Sequence, residues 1–426
     1  MRRGELLEKL EHGGLLEQLQ PVYGADAPGA ALRLRELMEE FADTFPCTPD
    51  SDTYLFSAPG RTELGGNHTD HQNGHGLAAS VDLDTIACVV PNDSGLIRIK
   101  SRHHTMAVVE LADLSLHEEE IGKSVALVRG VAGRIQTMGH TIRGFDAYTT
   151  TRVLRGSGLS SSAAFEVLTA NIINHLCCSG ALSATEMAQI GQFAENVYFG
   201  KPCGLLDQLA CATGGVVSMD FADPEAPVVK SVDVDLASRG YALVIVDSRA
   251  SHSDLTDYYA SIPREMKAVA AFFGKEVLSQ VDYEQFRRSL PALRSACGDR
   301  AVMRAFHFFR DDRRVLEQHA ALERGDWAEY LRLVDLSGRS SFMYLQNVST
   351  HTDPKEQPLA LLLAAAEDLL EGQGACRVHG GGFAGTIQAY VPLEKLESFV
   401  AGMESITGQG TCHVLQFRPV GTARLI

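Results

Sequence analysis

The chain has 426 residues, 45% of them apolar and 22% charged, enough to bury a large core divided over two domains. Its formal net charge is −16 and no basic stripe is visible, which excludes the phosphate backbone of a nucleic acid as an expected partner. The longest apolar stretch, residues 359–366, is far short of the roughly 20 residues that span a bilayer.

Leu6, Leu10, Leu15, Leu16 and Leu19, then Leu32, Leu34, Leu37, Met38 and Phe41, recur at helical spacing, so the first fifty residues predict amphipathic helices packed on a domain surface. Glu5, Glu8 and Glu11 occupy the place where a signal peptide needs an apolar core. Nine scattered cysteines form no Cys-x-x-Cys pair and read as small buried hydrophobes in a reducing cytoplasm. Strand-like runs follow at 54–58, 85–90 and 96–99, then a helix at 123–138. This mixed order predicts an α+β fold rather than a regular doubly wound sheet.

Residues 58–74 crowd Arg61, Glu63, His68, Asp70 and His71 into a glycine-rich loop. Residues 155–164 place Gly156, Ser157, Gly158, Leu159, Ser160, Ser161, Ser162 and Ala163 before an apolar run with helical spacing (Phe165, Leu168, Ile172, Ile173, Leu176). The serines therefore fall at a predicted helix N-terminus, where unpaired N–H groups and a partial positive charge suit a nucleotide phosphate. Taken alone, the segment reads equally well as a loop with a capping serine. It lacks the lysine of the Gly-x-x-x-x-Gly-Lys-Ser/Thr loop and the last glycine of a dinucleotide-binding fingerprint. Downstream come Glu195 and the stretch Lys201-Pro202-Cys203-Gly204-Leu205-Leu206-Asp207-Gln208. A buried strand is predicted at 241–247, with a domain boundary near residue 240 that divides the chain into 1–240 and 241–426. Helices are expected at 263–273, 313–322, 327–336 and 359–370. Finally, Val378-His379-Gly380-Gly381-Gly382-Phe383-Ala384-Gly385-Thr386 opens a strand-like run at 387–391. His71, His252 and His379 have no mate at metal-ligand spacing and read as polar or core histidines.

These blocks, in this order, resemble the GHMP small-molecule kinases, and the first is similar to the galactokinase branch, which carries Gly-Arg-x-Asn-x-x-Gly-Glu-His-Thr-Asp-Tyr-Asn-x-Gly there. The resemblance implies an N-terminal domain like ribosomal protein S5 domain 2, a ferredoxin-like C-terminal domain, and an active site between them. It also implies phosphoryl transfer from ATP to the anomeric hydroxyl of galactose, with ATP and Mg²⁺ as cofactors. In that reading Asp207 is the catalytic base and Arg61 stands beside it. Asn67, His68, Asp70, Gly204 and Tyr259 contact the sugar, although the adjacent Tyr258 is an alternative match. Gly156 to Ala163 hold the nucleotide, while Ser162 and Glu195 hold the metal by hard-oxygen ligation. A cation at Arg61 keeps Asp207 ionised and weakens it as a base. A monomer or weak homodimer is expected.

The departures from the family pattern bear on the sugar. Asn67 replaces its glutamate, Glu63 its asparagine, Gly65 an apolar residue, His71 its tyrosine and Leu154 a proline. The amide at position 67 both donates and accepts, and it removes a charge that repels acidic sugars. Galacturonate, glucuronate and N-acetylgalactosamine are therefore alternatives to galactose. A non-catalytic sensor of galactose and ATP is a further one, against which the complete run at 160–164 stands.

Overall fold

The computed structural model describes residues 1–154, 156, 158–250, 255–350, 352 and 354–426, so Ser157 and His252 lie outside the described residues. Three helices lead the chain: α1 (Arg3–Glu11), α2 (Leu16–Tyr23) and α3 (Ala27–Thr44). Then come β1 (Tyr54–Gly65), β2 (His75–Pro91), β3 (Leu96–Ser101), β4 (Ala107–Glu110), α4 (Ser124–Thr137), β5 (Phe145–Thr151), α5 (Ser161–Cys177), α6 (Ala184–Phe193) and α7 (Leu206–Thr213). β6 (Val216–Asp220) and β7 (Val228–Val232) complete the first half.

A second set follows: β8 (Tyr241–Asp247), α8 (Thr256–Phe272), α9 (Tyr283–Arg288), α10 (Leu290–Cys297), α11 (Asp299–Glu323), α12 (Trp327–Ser340) and α13 (Pro358–Leu370). The chain closes with β9 (Ala375–His379), β10 (Thr386–Pro392), α14 (Leu396–Thr407), β11 (Cys412–Leu415) and β12 (Ala423–Arg424).

Two sheets result. The larger runs β12-β1-β2-β5-β3-β4, with β6 paired to β2 and β7 to β6, and only the β3–β5 pairing is parallel among the described strands. The smaller, β11-β8-β10-β9, is antiparallel throughout. The mixed α+β order expected from the sequence is what forms.

Alternation along β1 and β2 explains the leading helices. Phe56, Ala87 and Val89 face α4, α5 and α6, whereas Leu55, Ile86 and Cys88 face α1 to α3. Both faces of the large sheet are therefore apolar, and the first fifty residues cover the outer one. Asp84, fully buried on β2, fastens that layer. It accepts hydrogen bonds from Tyr23 Oη (2.8 Å), Arg33 Nη2 (2.6 Å) and Ser57 Oγ (2.7 Å), and Arg418 of the C-terminal tail lies 3.4 Å away. That tail leaves the smaller sheet after β11 and returns to the larger one through β12, so the last residues pack with the first half of the chain.

β1 joins the two sheets. Its first half pairs regularly with β2, but the register shifts between Pro59 and Arg61 and again between Glu63 and Gly65. Such bulges bend a strand and re-aim its side chains. Here they turn Arg61 toward α7 and Glu63 toward β9. Arg61, expected in a loop, is thus held on a strand; the loop proper begins at Gly66.

Candidate active site

A cleft of about 440 Å³ opens between the two sheets, lined by the start of α5, the loop after β1, residues 201–207, Tyr259 and the loop after β9. At its floor, Arg61 donates Nε to Asp207 Oδ1 (2.7 Å) and sets Nη2 2.6 Å from Oδ2, a bidentate pair of the stronger kind. Asp207 sits in the first turn of α7 with its side chain about a third exposed to the cleft. Ser160 Oγ donates to the same carboxylate. Burial alone would raise the Asp207 pKa, but the Arg61 charge and the hydrogen bonds from Ser160 and Arg61 outweigh it and hold the group below the usual carboxylate range. Asp207 is therefore ionised at neutral pH.

The expected phosphate loop lies against this pair. Ser160 has left-handed backbone (φ 60°), and α5 starts at Ser161, so the N–H groups of its first turn open toward the cleft without intrahelical partners. Gly158 has φ 72°, and a Cβ there would stand 2.7 Å from His379 Nδ1, so no other residue fits without displacing that ring. Arg61 also donates to the Gly158 carbonyl, and its backbone N–H donates to Leu159 O (3.1 Å), fixing the loop to β1.

At the same end, Glu195 lies in a π-turn, Ala194–Phe199, that follows α6. Its Oε1 accepts from Ser162 Oγ (3.2 Å) and from Lys201 Nζ (3.1 Å). Its Oε2 accepts from Gln208 Nε2 (3.0 Å), which also donates to Glu166 Oε2 (3.0 Å). Burial and the neighbouring Glu195 charge push the Glu166 carboxyl well above its ordinary value. Among the described residues no cluster of three or more His, Cys, Asp or Glu is built to hold a metal. One carboxylate and one hydroxyl suit Mg²⁺, which keeps several waters and is held largely by phosphates.

The opposite wall carries His68, Asp70, Gly204 and Tyr259. A Cβ at position 204 would fall 1.8 Å from Asp70 Oδ2, so Gly204 is what lets the carboxylate close against the backbone. His68 has φ 61° and stacks on His71, with centroids 5.7 Å apart. Burial, then the neighbouring His71, lower its pKa to about 3, so the ring is a neutral hydrogen-bonding group. Tyr259 lines the cleft and donates to Gly382 O (2.9 Å), whereas Tyr258 Oη reaches Thr352 Oγ1 (3.4 Å) outside it.

Asn67, expected to contact the sugar, is among the residues that line the cleft, and its side chain enters a buried network. Its side chain is fully buried and every polar site is in use. Nδ2 donates to Glu63 Oε1 (3.0 Å), Glu63 Oε2 (3.2 Å) and Gly380 O (2.8 Å), and Oδ1 accepts from Asn347 Nδ2 (2.8 Å) and Ser341 Oγ (3.3 Å). An amide has two donors and one accepting oxygen, so both ends of the side chain are engaged within the protein. Arg377 Nη2 closes the network on Glu63 at 2.5 Å. Glu63 and Asn67 are the two positions where the family's asparagine and glutamate are exchanged, and they touch. Arg377, Asn347 and Glu166 escaped the sequence reading because their partners are distant in the chain; Lys201 stood within a quoted stretch without a role. His379, bonded to Thr62 and Thr386, is a buried polar histidine.

Family models match at two places: residues 126–215 fit the GHMP kinases N terminal domain, and residues 39–91 the galactokinase galactose-binding signature. The fold recurs in a Lactococcus lactis galactokinase crystallised with galactose, at 22% identity, a TM-score of 0.78, and coverage of 92% of this chain and 100% of that one. It recurs more distantly in a mevalonate kinase, at 13% identity, a TM-score of 0.59, and coverage of 85% and 99%. Fold and cleft together define a GHMP small-molecule kinase. A Streptomyces coelicolor galactokinase is 31% identical over 374 residues, 87% of this chain and 90% of that protein. A Mannheimia succiniciproducens galactokinase is 30% identical over 358 residues, 84% and 89%. The chain belongs to the galactokinase family.

Proposed function

We propose that this protein is an ATP-dependent sugar kinase that phosphorylates galactose at its anomeric hydroxyl, giving galactose 1-phosphate and ADP. The observation that carries the reading is the Arg61–Asp207 pair, set between the start of α5 on one side and His68, Asp70 and Gly204 on the other. The anomeric oxygen attacks the γ-phosphorus, the bond to the β-phosphate oxygen breaks, and the hydroxyl proton passes to Asp207. In phosphoryl transfer, positioning and charge stabilisation provide most of the acceleration, so an ionised but weak base suffices. Asp207 fixes the hydroxyl, and Arg61 offsets charge on the transferring group. The first turn of α5 receives phosphate oxygens. Ser162 and Glu195 would hold Mg²⁺, whose charge neutralises the polyphosphate.

The sugar wall favours a neutral substrate. Among the described residues lining the cleft, Arg61 and Lys201 are the only lysine or arginine, and both lie at the phosphate end. His68 is neutral and no lysine or arginine among the described residues stands at that wall, so neither pairs with a uronate carboxylate. The nine cysteines, all free, suit a reducing cytoplasm with its ATP supply. Specificity constants for galactose, N-acetylgalactosamine, galacturonate and glucuronate with ATP and Mg²⁺ test the reading. Galactose should lead; a tenfold preference for a uronate, or no transfer to any of them, would overturn it.

A further inference from the structure

Lys201 has no part in the mechanism above, yet its ammonium group sits within the phosphate end of the cleft. Its backbone N–H donates to Glu195 O (3.1 Å), which anchors the main chain, while its side chain is 59% exposed and free to swing. Nζ rests 3.1 Å from Glu195 Oε1, the same oxygen that Ser162 Oγ reaches. The other oxygen of Glu195 is taken by Gln208. Oε1 is thus the face that Glu195 turns to the cleft, and Lys201 covers it.

Resting on the kinase reading, this geometry creates a conflict when nucleotide and cation arrive. A divalent ion that uses Glu195 must take Oε1, and the ammonium must then find another anion. Asp207 is not available, because Arg61 grips it through two nitrogens and Ser160 donates to it as well. Arg61 is committed in turn, to Asp207 and to the Gly158 carbonyl. Among the described residues lining the cleft, Lys201 is therefore the one Lys or Arg side chain still able to redirect its charge. A lysine carries three rotatable donors on a flexible four-carbon stem, well suited to a phosphate that arrives and leaves.

We propose that Lys201 is a phosphate-binding residue: it rests on Glu195 in the free protein and transfers to the terminal phosphate of the bound nucleotide, yielding its place on Glu195 to the cation. In this state it adds a second positive charge, beside that of Arg61, to offset the charge on the group being transferred.

The test separates phosphate recognition from catalysis by leaving the sugar out. Dissociation constants for AMP, ADP and ATP are measured in the presence of Mg²⁺ by calorimetry, on the full chain, for wild type and for Lys201→Met and Lys201→Gln. Both substitutions keep a long side chain at an exposed site, and thermal melts confirm that the variants fold. ATP affinity should drop about tenfold in both variants, the scale of one charge-assisted contact. ADP should lose less and AMP should be unchanged. Wild-type affinity for all three nucleotides, or an equal loss for all three, would overturn the proposal while leaving the kinase reading intact. Failure of the wild type to bind any of them would instead overturn the kinase reading on which it rests.

Discussion

Substituting glutamate for Asn67 probes the buried junction that holds the two sheets together at the site. The amide makes three donor contacts, two of them to the Glu63 carboxylate, and receives two more, at zero exposure. A carboxylate there loses all three donor contacts and stands about 3 Å from Glu63, with one guanidinium, Arg377, between two acids. Breaking a buried charge arrangement costs about 3–5 kcal/mol, and a lone hydrogen bond to a charged group contributes only about 1.5–3. Asn67→Glu should therefore lose about 3–5 kcal/mol of stability in urea titration at pH 7.5. Glu63→Asn/Asn67→Glu restores the family's order of the two residues and leaves one acid for Arg377, so the double variant should be more stable than the sum of its parts by at least about 1.5 kcal/mol, well outside the 0.3–0.5 expected for independent sites. Additivity within about 0.5 kcal/mol would refute the network.

The same carboxylate has a pH signature. Burial pushes the Glu63 pKa up to about 7 against the pull of Arg377 and Arg61, so between about pH 4.5 and 7 the folded protein holds a proton that the unfolded chain has released. The stability Glu63 contributes then falls as pH rises through that window and is level above it; thermal melts of wild type and Glu63→Gln should converge or diverge only there. Glu195→Ala and Ser162→Ala should each raise the magnesium concentration for half-maximal activity, Glu195 by more, since it supplies charge as well as an oxygen. Unchanged magnesium dependence in both would remove them from the metal site. Gly204→Ala places a methyl group 1.8 Å from Asp70 Oδ2, and steady-state kinetics should show a galactose KM raised about tenfold or more with the ATP KM little changed.

Much of this was legible in the chain because local signals carried it. The strand at Tyr241–Asp247 and the helix Ser124–Thr137 follow directly from periodicity, and the serine run does open a helix. α11 was expected only from residue 313, but it begins at Asp299: Arg300, Arg304, His307 and Asp311 interrupt its apolar pattern, and three of these are buried through partners in other elements. α8 continues through Pro263, a residue that marks a helix start by itself. The buried partners of Asn67 were not legible, because a motif position fixes the backbone but not the direction of a side chain. What turned it inward is Glu63, four residues earlier, and Arg377, more than three hundred residues later. No linear spacing carries that pairing.

The central claim is that the Arg61–Asp207 pair is where the phosphoryl group is transferred. Its most direct test is Asp207→Asn, which keeps the shape of the side chain and removes its basicity, measured as single-turnover formation of galactose 1-phosphate from saturating ATP, Mg²⁺ and galactose. The account predicts a rate lower by at least roughly a hundredfold, with ATP affinity within about threefold of wild type. A variant that retains more than about a tenth of the wild-type rate would contradict it.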